Sequence, residues 1–132
     1  MSLLLLDTTV LIDAERDPAA VDEVIADEDD TAIAAVTVAE LQVGATLADG
    51  MRRTARQAFI DAVVAVVPVI SYDLSVAMAH ARLLVATRKS GRPRGAHDLI
   101  IAATAVAGGR VVLTADPTGF ADLPDVEIRH HG

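Results

Sequence analysis

Residues 3–13 read LLLLDTTVLID. Four leucines stop on an aspartate, Asp7, and an apolar segment resumes at Val10. A short apolar run bounded by polar residues reads as a buried strand, and TTVLIDAER after it reads as a helix. The junction poses a chemical question as well as a structural one. A carboxylate at the end of a buried element is either a capping device or a functional group.

The same alternation repeats outward from this stretch. PAAVDEVIAD (18–27) reads as a second short helix with Pro18 at its first position. TAIAAV (31–36) is a strand, and TVAELQVGATLAD (37–49) a helix whose start signal is Thr37. A longer helix runs from Met51 to Val66, Pro68 ends it, and PVIS (68–71) makes a third strand. Over 73–90, Leu74, Ala77, Met78, Ala81, Leu84 and Val85 recur at helical spacing and form one apolar face of a long helix. GRPRG (91–95) is a turn. HDLIIAATAVAGG is a helix apolar on nearly all sides, closed by Gly108 and Gly109. RVVLT (110–114) and VEI (126–128) supply the last two strands. Strands alternating with helices predict a single-domain, three-layer α/β/α sandwich around a mostly parallel sheet of about five strands. The domain is expected over residues 1–129, with 130–132 a frayed tail.

Bulk composition narrows the function. At 132 residues the chain is long enough to bury a core unaided, and 52% of it is hydrophobic. Aromatics amount to 2% (Phe59, Phe120 and Tyr72), too few for a base-stacking platform. The absence of cysteine excludes disulfides and thiolate metal sites. No apolar run is long enough to cross a bilayer, and no basic region precedes the leucines. A cytoplasmic protein without membrane association is expected. The net charge of −8 disfavours a simple basic-patch nucleic-acid binder. Basic residues nevertheless cluster in MRRTAR (Arg52, Arg53, Arg56) and RKSGRPR (Arg88, Lys89, Arg92, Arg94), and charge runs of this kind ordinarily form solvated faces.

In open parallel sheets ligands bind beyond the carboxyl ends of the strands. Asp7, Glu40, Asp98 and Asp116 all fall at such junctions. Each has an ordinary explanation. Asp7 fits an N-cap, TVAE (37–40) fits a capping box with Thr37 as cap, Asp98 favours its helix dipole, and Asp116-Pro117 is a cap followed by a first-turn proline. Capping does not explain why four acids should share one edge. Neighbouring carboxylates repel unless a cation sits among them, and hard oxygen ligands suit Mg²⁺ or Mn²⁺. Such a site performs phosphodiester chemistry by lowering the pKa of a bound water and stabilising the reacting oxygens.

The segments LLDTTVLID, AAVTVAELQVGA, HDLIIAATAVAGG and VVLTADPTGF resemble, in order and spacing, the motifs of PIN-domain ribonucleases, and among them the VapC-type toxins of toxin–antitoxin pairs. The resemblance runs from Leu3 to Ile128. It implies Asp7, Glu40, Asp98 and Asp116 as catalytic, metal-binding acids, the last at a position where the family also uses Asn. It implies Thr9 and Thr114 as hydroxyls orienting the cluster, and Phe120 as a core aromatic. By the same resemblance the protein cleaves RNA with Mg²⁺ or Mn²⁺, forms a homodimer, and is held inactive by a small antitoxin protein that blocks the acidic site. Arg92 and Arg94, just before Asp98, are the arginines best placed to contact RNA.

Other readings fare worse. His97 adjoins Asp98, but nothing in the site requires it; His80 reads as a helix-surface residue, and His130 with His131 lacks a third ligand. A phosphoacceptor receiver domain needs a lysine at a strand end, whereas Lys89, the only lysine, lies in a turn. A haloacid-dehalogenase-type phosphatase needs an aspartate where Thr9 stands. The serious alternative is a non-catalytic protein-interaction domain whose acids are only helix caps. The two separate on Asp7→Asn, which on sequence grounds leaves folding of an enzyme unchanged or improved while abolishing metal-dependent cleavage.

Overall fold

The computed structural model describes residues 1–19 and 25–131. Its elements, in order, are β1 (Leu3–Leu6), α1 (Thr8–Arg16), β2 (Asp30–Ala34), α2 (Ala35–Leu47), α3 (Gly50–Val66), β3 (Val69–Ile70), α4 (Leu74–Ser90), α5 (Ala96–Gly108), β4 (Val111–Thr114) and β5 (Ile128–His130). A 3-10 turn, Pro117–Gly119, lies between the last two strands. The strand order is β3-β2-β1-β4-β5, and every pairing is parallel. Of the helix expected at 18–27, residues 20–24 lie outside the described residues.

The leucine run occupies the centre of this sheet. Leu5 pairs with Ala32 on one side and Val112 on the other. Because side chains alternate across a strand, Leu4 and Leu6 point to one face and Leu5 to the other. Both faces are covered, so the strand reads as unbroken hydrophobicity rather than alternation. One core gathers Leu5, Ala32, Ala34 and Val112 with Val76, Ala79 and Leu83 of α4 and Leu99, Ile101 and Ala102 of α5. The other gathers Leu4, Leu6, Ile33 and Leu113 with Val10 and Leu11 of α1, Leu41 and Ala45 of α2, and Ile60 of α3. Each fully buried leucine contributes roughly 1.5–3 kcal/mol.

Three sequence expectations are corrected. Helix α2 starts at Ala35 straight from β2, so its N-cap is Ala34, without a side-chain bond, and the capping box at 37–40 is not made. The buried face of α4 is Val76, Ala79 and Leu83; of the expected set Leu84 is partly buried against this core, whereas Leu74 (77% exposed), Met78 (57%) and Val85 (49%) face outward. Both stripes have helical spacing, and in an alanine-rich helix the pattern alone does not select between them. Residues 130 and 131 are also not frayed. His130 ends β5, the His131 amide donates to the Thr114 carbonyl (2.8 Å), and the buried His131 ring lies with Nε2 3.4 Å from Asp13 Oδ2. The parallel ladder to β4 carries order one residue past the strand. Gly132 lies outside the described residues.

Candidate functional site

Four elements bring their acids to the carboxyl edge of the sheet. Asp7 follows β1, Glu40 is on α2 after β2, Asp98 is in the first turn of α5, and Asp116 follows β4. Asp7 is only 3% exposed. Its Oδ1 accepts from the Thr8 amide (2.8 Å), which makes it the N-cap of α1. Its Oδ2 accepts from the hydroxyls of Thr9 and Thr114, both at 2.8 Å. These hydroxyls are themselves fixed, since Thr9 Oγ1 accepts from the Ala115 amide and Thr114 Oγ1 from the Asp116 amide, each at 3.0 Å. Asp7 therefore caps a helix and is also stitched to the end of β4.

Glu40 is held differently. Its Oε1 accepts from the buried Thr8 hydroxyl (2.8 Å), which also lies 3.3 Å from Thr37 Oγ1, and its Oε2 lies 3.3 Å from His97 Nδ1. Asp116 caps the 3-10 turn by accepting from the Thr118 amide and hydroxyl. Asp98 makes no side-chain hydrogen bond among the described residues. Burial, followed by the negative charges of Asp7, Glu40 and Asp116, raises its carboxyl pKa above the ordinary value, with His97 partly offsetting them. Mutual repulsion is the signature of carboxylates crowded without a counter-charge.

Capping thus accounts for Asp7 and Asp116 and leaves Glu40 and Asp98 unexplained. The donor set consists of hard oxygens and suits a small divalent cation with water completing its shell. Among the described residues, no three carboxylate or imidazole side chains are disposed to hold a metal ion together as they stand. The acids are neighbours that repel one another rather than a preformed clamp.

Thr8 touches this site without having been singled out for it, while Thr37 was read only as a helix cap and His97 was set aside. Thr8 was detectable in principle, because a hydroxyl beside a capping aspartate at a strand end faces whatever the next strand delivers. Thr37 and Glu40, three apart on α2, share a helix face. Arg92 and Arg94 make no ion pair with the four acids. Arg92 Nη1 lies 3.2 Å from Asp122 Oδ2 in an exposed pair. Arg94 donates to the carbonyls of Ala121 (2.7 Å), Arg92 and Pro93, tying the turn before α5 to the loop after the 3-10 turn. A cavity of about 190 Å³ instead runs from Thr8 and Glu40 past Ile12, Leu41 and Ile60 to Arg16 and Arg56.

Residues 4–126 match the family model described as PIN domain. The chain is 36% identical to the VapC ribonuclease Y4jK of Sinorhizobium fredii, over 89% of this chain and 90% of that protein. It superposes with a TM-score of 0.81 and 30% identity on a structure of VapBC-5, a member of the VapBC family of toxin–antitoxin systems from Mycobacterium tuberculosis, covering 98% of this chain and 99% of that one. A structure of DNA-bound VapBC from Salmonella typhimurium shares the fold, with a TM-score of 0.88, 24% identity and full coverage of both chains.

Proposed function

The chain belongs to the PIN domain family, and on that premise we propose that it is a metal-dependent endoribonuclease, the toxin of a toxin–antitoxin pair, hydrolysing RNA phosphodiester bonds. The observation that carries the reading is the convergence of Asp7, Glu40, Asp98 and Asp116 from four separate elements on the carboxyl edge of the sheet. Four acids crowded at one sheet edge favour a cation, and the ribonuclease relatives give the chemistry a substrate class.

In this reading Asp7, Glu40, Asp98 and Asp116 hold Mg²⁺ or Mn²⁺, which when bound supplies an activated water and neutralises charge on the phosphate. The chain's own residues set the geometry. Thr9 and Thr114 aim one oxygen of Asp7, leaving it lone-pair capacity for a cation. Thr8 orients Glu40 from below, and His97 borders its other oxygen from the solvent side. Such partners to metal-ligating acids typically change affinity or activity by about 10–100-fold when removed.

The RNA backbone needs cations beside this cluster. Arg92 and Arg94 stand near Asp98 in sequence, but both are occupied within the chain. Arg16 and Arg56 border the cavity that opens at Glu40 and join them as candidate phosphate contacts. A small antitoxin protein that occludes the acids would provide the control of activity. A homodimer would cover the outward stripe of α4, Leu74, Met78 and Val85. No helix among the described residues is long and apolar enough to cross a membrane, and we place the protein's action in the cytoplasm, where its RNA substrates are.

Thermal melts and RNA cleavage with Mn²⁺ or with chelator test this directly. At about 100 times its dissociation constant an ion binding only the folded state adds about 2.7 kcal/mol. For a domain of 132 residues that raises the midpoint by roughly 10 °C. Cleavage should require the ion and vanish in Asp98→Asn. Absence of both the shift and the cleavage would return the acids to the status of caps on an interaction domain.

A further inference from the structure

Asp98 has no hydrogen-bond donor among the described residues to hold its carboxylate, yet the carboxylate has a defined seat. It lies against two glycines. A Cβ built on Gly119 would stand 2.6 Å from Asp98 Oδ2 and 3.2 Å from its Cγ. A Cβ on Gly95 would stand 3.2 Å from the same oxygen. The first distance is far inside van der Waals contact and the second only tight. Gly119 does not need to be glycine for its backbone, because its φ lies outside the left-handed region. What the position requires is an absent side chain.

We propose that Gly119 is a positioning residue for Asp98: by lacking a Cβ it lets the carboxylate lie on the Pro117–Gly119 turn. The inference rests on the metal-dependent nuclease reading and names a determinant of that site. The turn then organises two acids by different means. Asp116 is fixed by capping it, and Asp98 by packing on its one bare residue. With a methyl group at 119, Asp98 must rotate away from the turn while the surrounding hydrogen bonds are untouched. Gly95 closes the other side less tightly, so a methyl there asks for a shift of only a few tenths of an ångström.

The test is Mn²⁺ titration calorimetry on the full chain, paired with melts in chelator. Gly119→Ala should fold and bind Mn²⁺ at least tenfold more weakly, and Gly95→Ala should lose less than Gly119→Ala. Gly108→Ala, where a Cβ makes ordinary contact with Arg110, should bind as wild type. In chelator, Gly119→Ala should lower the midpoint in the wild-type background and leave it unchanged in Asp98→Ala, where the obstructing carboxylate is gone. Wild-type Mn²⁺ affinity in Gly119→Ala overturns the proposal. So does a loss of midpoint that persists in Asp98→Ala, or a double variant that fails to fold, because the glycine would then serve the turn itself. If wild type binds no Mn²⁺, the nuclease reading falls and the positioning role with it, while the melts still decide whether Gly119 and Asp98 are in contact.

Discussion

Asp7→Asn probes an acid held by three hydrogen bonds. On sequence grounds alone, removing one of several crowded charges should leave folding unchanged or improved. The structure reverses that sign. The Asp7 carboxylate accepts three hydrogen bonds, from the Thr8 amide and the hydroxyls of Thr9 and Thr114. Bonds to a charged acceptor are worth about 1.5–3 kcal/mol, against roughly 0.5–1.5 for neutral ones. An asparagine that kept all three would therefore surrender about 1 kcal/mol per bond. It cannot keep all three, because its NH₂ replaces one acceptor: turned toward Thr9 and Thr114 it faces hydroxyls that had donated, and turned toward Thr8 it faces an amide N–H. A net loss of about 2–3 kcal/mol follows, after some return from relieved repulsion. In a 132-residue domain this lowers the midpoint by roughly 7–11 °C. The assay is a thermal melt followed by circular dichroism at pH 7.5 in chelator, so that no metal contributes. A midpoint within 2 °C of wild type would refute the argument, since the three donors could not then be stabilising a charge.

Asp98→Asn should behave oppositely, raising the midpoint in chelator at pH 7. Its raised folded-state pKa means the folded protein holds this proton more tightly than the unfolded chain, so stability falls as pH rises from the ordinary 3.8 through the raised value. The advantage of Asp98→Asn should thus vanish below pH 3.8 and be largest above the raised pKa; a less stable variant at pH 7 would contradict the crowding. Thr8→Val should reduce RNA cleavage by about tenfold, read as kcat at saturating substrate, by releasing Glu40 from its hydroxyl donor. An unchanged kcat would remove Thr8 from the site. Leu83→Ala, at a buried position of α4, should cost about 2–5 kcal/mol in urea unfolding, whereas Met78→Ala on the outward stripe should stay within about 0.5 kcal/mol at dilute concentration. Equal losses would restore the apolar face that the sequence pattern favoured.

Much of this architecture was legible from residue order. The leucine run, the punctuating Pro68 and the double glycine at 108–109 placed elements to within a residue or two, because each acts through local backbone chemistry. The errors arose where tertiary contacts decide. Thr37 carries a helix-start signal, but β2 runs straight into α2 and the residue is buried in the first turn. Two stripes on α4 are equally periodic, and only the packing against α5 selects one. At the site, the four acids were visible because strand ends are predictable. Thr8, whose partner Glu40 is 32 residues away, and the seat of Asp98, defined by what Gly119 lacks, could not be read from spacing. A missing atom leaves no periodic trace.

The sheet order carries a consequence for the life of the chain on the ribosome. The central strand is the first of the five to be synthesised, yet one of its two neighbours is β4, whose Leu113 pairs with Leu6. Asp7 acquires its Thr114 donor only across a separation of 107 residues, and Asp116 is nearly the last part of the site to emerge. A nascent chain that has reached α5 can form the β1–β2 pairing and pack Leu41 over it, but it has neither a completed acid cluster nor the second of the two hydroxyls that aim Asp7. Such long-range pairings are also slow to form. A ribonuclease built in this order would stay inert until β4 and Asp116 have emerged, and a product terminated before β4 would leave the ribosome without a working site.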